Sequence, residues 1–171
     1  MSLKIVCVTF LALVLQGCYS KTNLPLPTVL EVSLSRYLGT WYEIARYENR
    51  FEKGCVGASA TYVMEKDFIR VINRCYDEKG KKIDEAQGKA YVVENSGNAK
   101  LRVSFFWPFY GDYWILKLAS DYRYVVVGEP SRKYLWILAR EKTLNETDKK
   151  EILEELSALG YTASMLYWTK N

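Results

Sequence analysis

A chain of 171 residues is long enough for one hydrophobic core and short for two, and its 14 Tyr, 5 Trp and 6 Phe suit strands around an apolar interior better than a helical bundle. A net charge of +4, with Lys and Arg scattered among Asp and Glu rather than gathered in a stripe, argues against a nucleic-acid partner. The absence of His excludes Ser-His-Asp and Cys-His catalysis, HExxH zinc sites and His-ligated haem, so acid–base work would fall to carboxylates, Lys or Tyr, and no metal or cofactor is expected.

Residues 1–17 carry Lys4 and an apolar run from Ile5 to Leu15 broken only by Thr9, which reads as a secretory signal rather than a membrane span. Leu15-Gln16-Gly17-Cys18 resembles the lipobox of bacterial lipoproteins, which implies an acylated Cys18 as the mature N-terminus; the alternative is an ordinary signal cut nearby. Tyr19 in place of an Asp points the lipoprotein to the outer membrane. Residues 18–29, with two prolines and no periodicity, read as a lipidated flexible tether ahead of a single domain over 30–171.

Leu34, Tyr37 and Leu38 suggest one irregular or 3₁₀ turn, Gly39 a sharp bend, and residues 41–48 the first strand. Alternation puts Trp41, Glu43, Ala45 and Tyr47 on one face and Tyr42, Ile44 and Arg46 on the other. Seven more strands follow between turn signals: Ala58 to Met64, Phe68 to Tyr76, a strand around Gln87 to Val93, Leu101 to Phe106 ended by Pro108, Tyr113 to Leu118, Tyr122 to Gly128, and Tyr134 to Arg140. Such regular short strands predict an all-β antiparallel meander closed into a sandwich or barrel. The period then lengthens to 3.6. Asn145 caps a helix with Ile152, Leu153, Leu156 and Leu159 on one stripe and Gly160 at its end, predicted to dock outside the sheet, with Ile44 and Tyr42 as a candidate receiving surface. A short strand from Met165 to Trp168 follows.

With Cys7 in the signal and Cys18 acylated, Cys55 and Cys75 remain, and an exported pair is expected to bridge. They flank the second and third strands, and a turn near residues 65–67 brings 55 opposite roughly 76. A reactive pocket thiol is the alternative, with no His to activate it.

Gly39-Thr40-Trp41-Tyr42 with Glu43-Ile44-Ala45-Arg46, Asp121-Tyr122, and Arg140 closing Leu135-Trp136-Ile137-Leu138-Ala139 resemble, in order, the three signatures of the lipocalin family. The chain is most similar to the bacterial outer-membrane lipoprotein lipocalins, kin of apolipoprotein D, through Val71-Ile72-Asn73, Gly88-Lys89-Ala90-Tyr91, Val103-Ser104-Phe105-Phe106, Pro108-Phe109-Tyr110-Gly111 and Tyr134-Leu135-Trp136-Ile137-Leu138. It departs at Trp107, where a small residue is common, and in its Cys55 and Cys75 pair. The resemblance implies an eight-stranded up-and-down antiparallel β-barrel with one C-terminal α-helix packed outside, its floor closed by Trp41 under Arg140.

Taking Trp41 as inward, the family's strand parity implies a lipid-binding wall of Ala45, Ala58, Ala60, Tyr62, Val71, Asn73, Ala90, Val92, Leu101, Val103, Phe105, Tyr113, Ile115, Tyr124, Val126, Tyr134 and Trp136. The expected ligand is a single-chain amphiphile, a fatty acid or lysophospholipid, with its polar end at the mouth near Tyr113, Tyr134 or Lys117. A binding protein rather than an enzyme is implied, serving lipid storage or transfer and membrane maintenance under stress. The rival readings are a pocket isomerase or lipid hydrolase using Cys, Glu43 or Tyr, and a structural envelope lipoprotein with a filled barrel. The run Phe105-Phe106-Trp107-Pro108-Phe109-Tyr110 reads as an aromatic barrel rim, with a membrane-touching surface or a homodimer surface as alternatives.

Overall fold

The computed structural model describes residues 25–170; the predicted signal, Cys18 and most of the 18–29 tether lie outside the described residues. A one-turn helix α1 (Leu34–Tyr37) leads into strands β1 (Gly39–Tyr47), β2 (Gly57–Met64), β3 (Ile69–Tyr76), β4 (Lys82–Val92), β5 (Lys100–Phe106), β6 (Phe109–Leu118), β7 (Tyr124–Gly128) and β8 (Leu135–Ala139). Helix α2 (Glu146–Ala158) and a short β9 (Leu166–Trp168) follow. Each of β1 to β8 bonds antiparallel to its sequence neighbour, and β1 pairs with both β8 and β2, so eight strands close into a barrel with no free edge between first and last. Strand β9 lies beside β1, Tyr167 opposite Arg46.

Most strand ends fall within two residues of the sequence reading, and two strand starts differ by more. Strand β6 begins at Phe109, not Tyr113, because Phe106 pairs with Phe109 and leaves Trp107-Pro108, joined by a cis bond, as a two-residue turn. Strand β4 begins at Lys82, since its ladder with β3 runs as far as Tyr76 opposite Lys82. In that stretch backbone pairing overrides the low β-propensity of Asp84 and Glu85.

The sheet has two apolar faces and hence two cores. The inner one fills the lower barrel with Trp41, Tyr62, Val71, Leu101, Ile115, Val125, Val127 and Leu138. The outer one lies under α2, where Ile152, Leu156 and Leu159 pack on Ala45, Tyr124, Val126, Ile137 and Ala139. Ile44 belongs to this receiving surface as expected, whereas Tyr42 instead lies under the ammonium of Lys142. Burial of a Leu or Ile contributes about 2 kcal/mol, so the stripe rather than helix propensity holds α2 in place. Its start is fastened as predicted: the Asn145 Oδ1 accepts from the Asp148 N–H at 2.8 Å. Asp148 then accepts from Arg123 at 2.7 and 2.6 Å, joining the helix to the turn before β7.

Cys55 and Cys75 form a disulfide across 20 residues, pinning the loop 48–56 to β3. Replacing both by Ser should lower unfolding stability by about 3 kcal/mol in the chain-entropy model, measured as the difference in denaturant midpoint under non-reducing conditions.

Candidate functional site

One end of the barrel is sealed. Gly39, at φ +95°, turns the chain from α1 into β1, and a Cβ there would sit 3.4 Å from the guanidinium of Arg140. Trp41 is fully buried and donates its indole N–H to the carbonyl of Tyr37 at 2.8 Å. Over its ring, 3.8 Å from the centroid, lies the guanidinium of Arg140. This cation donates to the carbonyls of Thr40 (2.9 Å), Arg36 (2.6 Å), Tyr37 (3.1 Å) and Leu38 (2.9 Å), so it satisfies orphan carbonyls at the end of α1 and clamps the turn to the barrel. Arg36 extends the seal to the predicted second signature, stacking 4.1 Å above Tyr122 and donating to Ser120 O at 3.0 Å.

Just above this floor three phenols meet. Tyr113 Oη lies 2.6 Å from Tyr37 Oη and 2.8 Å from Tyr62 Oη. Burial raises all three, Tyr62 to about 12, so the group stays uncharged across the physiological range. Three hydroxyl protons share two hydrogen bonds, which leaves one donor for an acceptor outside the triad. Tyr113 therefore serves the floor, not the mouth.

Higher in the barrel, β1 carries a bulge. Glu43 pairs with Leu138 but Ala45 pairs with Ile137, so Ile44 is the extra residue. Beyond it the faces exchange: Ala45 and Tyr47 turn outward toward α2, and Arg46 turns inward opposite Trp136. Arg46 Nη1 donates to Glu43 Oε1 at 2.6 Å, and Nη2 to the carbonyl of Cys55 at 2.9 Å. Its Nε faces Glu52 at 3.9 Å. Glu52, from the loop 48–56, accepts from the indole of Trp136 at 3.0 Å and hydrogen-bonds to Glu43. Two carboxyls thus share one guanidinium, with the Tyr167 ring on its far side. Burial, and then the neighbouring Glu52, push Glu43 well above its ordinary 4.5 against the opposing pull of Arg46.

Of the expected wall, Ala60, Tyr62, Val71, Ala90, Leu101 and Ile115 lie in the inner core, with Val103, Tyr113 and Trp136 packed against it. Ala58, Asn73 and Val92 share the inner register, and Asn73 is exposed there. Tyr134 stacks on Trp136 with centroids 5.8 Å apart. The Phe105 ring covers Gly88, where a Cβ would meet it at 2.9 Å; only glycine permits that approach. Three positions are corrected. Ala45, Tyr124 and Val126 belong to the outer core under α2, and Val125 and Val127 face inward instead. Lys117 is corrected too: the bulge between Ile115 and Lys117 turns it out of the barrel, where it pairs with Glu151 at 2.9 Å and with Glu155. The bulged Ile44 and the unbroken apolar run Tyr124-Val125-Val126-Val127 carry no alternation from which parity could be read. The pairing of Glu43 with Arg46 had one signal, a Glu and an Arg three apart in one strand.

The inner face is thus buried near the floor and reached by solvent higher up, where Asn73 and Ala86 are exposed and Trp136 and Val103 half-buried. A shallow depression along α2 at Glu146 and Leu153 lies outside this cup, and a second by Met64 and Phe68 reaches the floor end of the inner face at Ile69, Ala90 and Val92.

A closed eight-stranded barrel, plugged by an Arg–Trp stack at one end and flanked by a single helix, defines the lipocalin class. Residues 32–171 match the family model described as Lipocalin-like domain, and the chain belongs to the lipocalin family. It is 39% identical over 170 residues to the outer membrane lipoprotein Blc of Citrobacter freundii, covering 98% of this chain and 96% of the relative. Against Blc of Escherichia coli (strain K12) it is 42% identical over 136 residues, 79% and 77% of the two chains. Among solved structures, insecticyanin from the tobacco hornworm Manduca sexta superposes with a TM-score of 0.67 at 23% identity, over 84% of this chain and 83% of the other.

The buried carboxyl makes stability depend on pH. A carboxyl raised in the fold favours its protonated form, so its contribution is complete below 4.5 and is lost as pH rises through the raised value. Urea melts at stepped pH should show the wild type losing stability above 4.5 relative to Glu43→Gln, in which this descent is absent; parallel curves for the two proteins would contradict the placement of the proton.

Proposed function

We propose that this lipocalin is a lipid carrier anchored through Cys18 in the outer membrane, with its barrel on the periplasmic side, where it holds one fatty acid or lysophospholipid. The anchor rests on Leu15-Gln16-Gly17-Cys18 and on likeness to relatives named outer membrane lipoprotein. The observation that carries the ligand class is the graded inner face: apolar and sealed below, and open above, where Asn73 and the Arg46 brace add polar groups beside Ala86, Val103 and Trp136. An acyl chain suits that gradient, because each methylene leaving water gains about 0.8 kcal/mol without needing a fixed partner. The free phenol donor of the triad sits where the deep end of a ligand would arrive. Carriage rather than turnover fits a chain without His, whose buried Glu43 is already engaged with Arg46 and Glu52. Reversible storage or transfer of such lipids would serve membrane maintenance.

Asn73→Trp tests the cup directly, since Asn73 faces inward yet is exposed, so a larger ring fills ligand space without a core clash. Displacing about two methylenes should weaken amphiphile binding about tenfold. Native mass spectrometry of delipidated and reloaded protein reads this as loss of the bound species, with the melting temperature unchanged. Wild-type protein that retains no amphiphile under any loading condition would sink the carrier reading.

A further inference from the structure

The β5–β6 hairpin ends in a finger of uncovered aromatics. Phe106, Trp107 and Phe109 are 80%, 83% and 76% exposed, and Phe105 and Tyr110 a little over a third. From Phe105 to Gly111 there is no charged side chain. The finger stands at the open end of the barrel, opposite the Trp41 and Arg140 floor, because β5 rises from Lys100 near that floor and β6 descends to it. At its base the guanidinium of Arg102 lies 5.0 Å from the Tyr110 ring centroid.

We propose that this finger is a membrane-contact element: Phe106, Trp107 and Phe109 insert into the interfacial layer of a phospholipid leaflet and turn the mouth of the cup toward it. Three features select a bilayer over a protein. A two-residue turn with three protruding rings is far smaller than the roughly 20–30 residues a side of a stable protein interface, whereas a leaflet needs no matching surface. Phe, Trp and Tyr with one cation behind them is the composition that prefers the boundary between headgroups and acyl chains. The finger is also continuous with the cup. Strand β4 bonds to β5 only from Lys89 to Val92, while its mouthward half from Lys82 pairs with β3 alone, so the wall is open beside the finger. Phe105 joins the two, with its ring on Gly88. An acyl chain leaving the leaflet along the rings would meet the cup without crossing bulk water.

This contact is independent of what the cup holds, and the test keeps the two apart. The full chain is reconstituted into vesicles of phosphatidylethanolamine and phosphatidylglycerol, with plain or brominated acyl chains, and the fluorescence of Trp107→Phe is subtracted from that of the wild type. The Trp107 emission should be blue-shifted in plain vesicles and lost in brominated ones. Phe106→Ser/Phe109→Ser, which changes two exposed side chains and should melt like the wild type, should recover that emission. Trp107 emission that is equal in both vesicles, protein that fails to float with the vesicles, or Trp107 shielded instead by a second copy in cross-linking would each overturn the proposal. Amphiphile loading by native mass spectrometry is read on the same preparations: quenching of Trp107 in a protein that loads nothing supports the membrane contact while removing the carrier reading.

Discussion

The barrel depends on one contact, the half-buried guanidinium of Arg140 held between the buried Trp41 ring and four backbone carbonyls. A cation at that position is costly to desolvate, and burial indeed lowers its pKa. Carbonyl dipoles and the ring face offset that cost without a carboxylate, so the plug stays a structural device with no titrating counter-ion. Because Arg140 follows β8 and Trp41 lies in β1, the same contact joins the last barrel strand to the first. The cup above has a bottom because this closure holds.

Two bulges then decide what the cup contains. Ile44 in β1 turns Arg46 inward, and the irregularity after Ile115 turns Lys117 outward. Each cation meets carboxylates where it arrives: Arg46 joins Glu43 and Glu52, and Lys117 joins Glu151 and Glu155. Burial works against the charge of Lys117, but these two partners hold its pKa above the ordinary value. One extra residue per strand therefore separates a polar brace inside the wall from a strap that holds the helix outside. The inner brace also fastens the loop 48–56, through Glu52 to Trp136 and through the Cys55 carbonyl, which the disulfide reinforces. That side of the mouth is tied down, while the aromatic hairpin on β5 and β6 is left uncovered. A fixed rim and an exposed apolar finger are the features on which the proposed uptake of lipid from a surface rests.

Much of this was legible in the linear chain. The likeness to the lipocalin signatures marks Trp41 and Arg140 as the floor, Gly39 marks the bend before it, the turn residues divide the strands, Asn145 opens the helix, and the Cys55 and Cys75 pair bridges as an exported pair should. The bend, the turns and the helix cap are local: each depends on a backbone angle, a cap or a period that a few neighbouring residues determine. The inward set was legible only where strands alternate without interruption, as along Ala60, Tyr62, Val71 and Leu101. It failed at Ala45 because a bulge is settled by the register with β8, and at Tyr124 and Val126 because both faces of β7 are apolar. Which face meets α2 and which meets the cup is decided when the barrel closes, since only closure makes one apolar face the inside. The tyrosine triad joins residues distant in the chain, and the Glu43, Arg46 and Glu52 brace, though close in the chain, forms inside only because the bulge turns Arg46 inward; both arrangements exist only once the strands are in register.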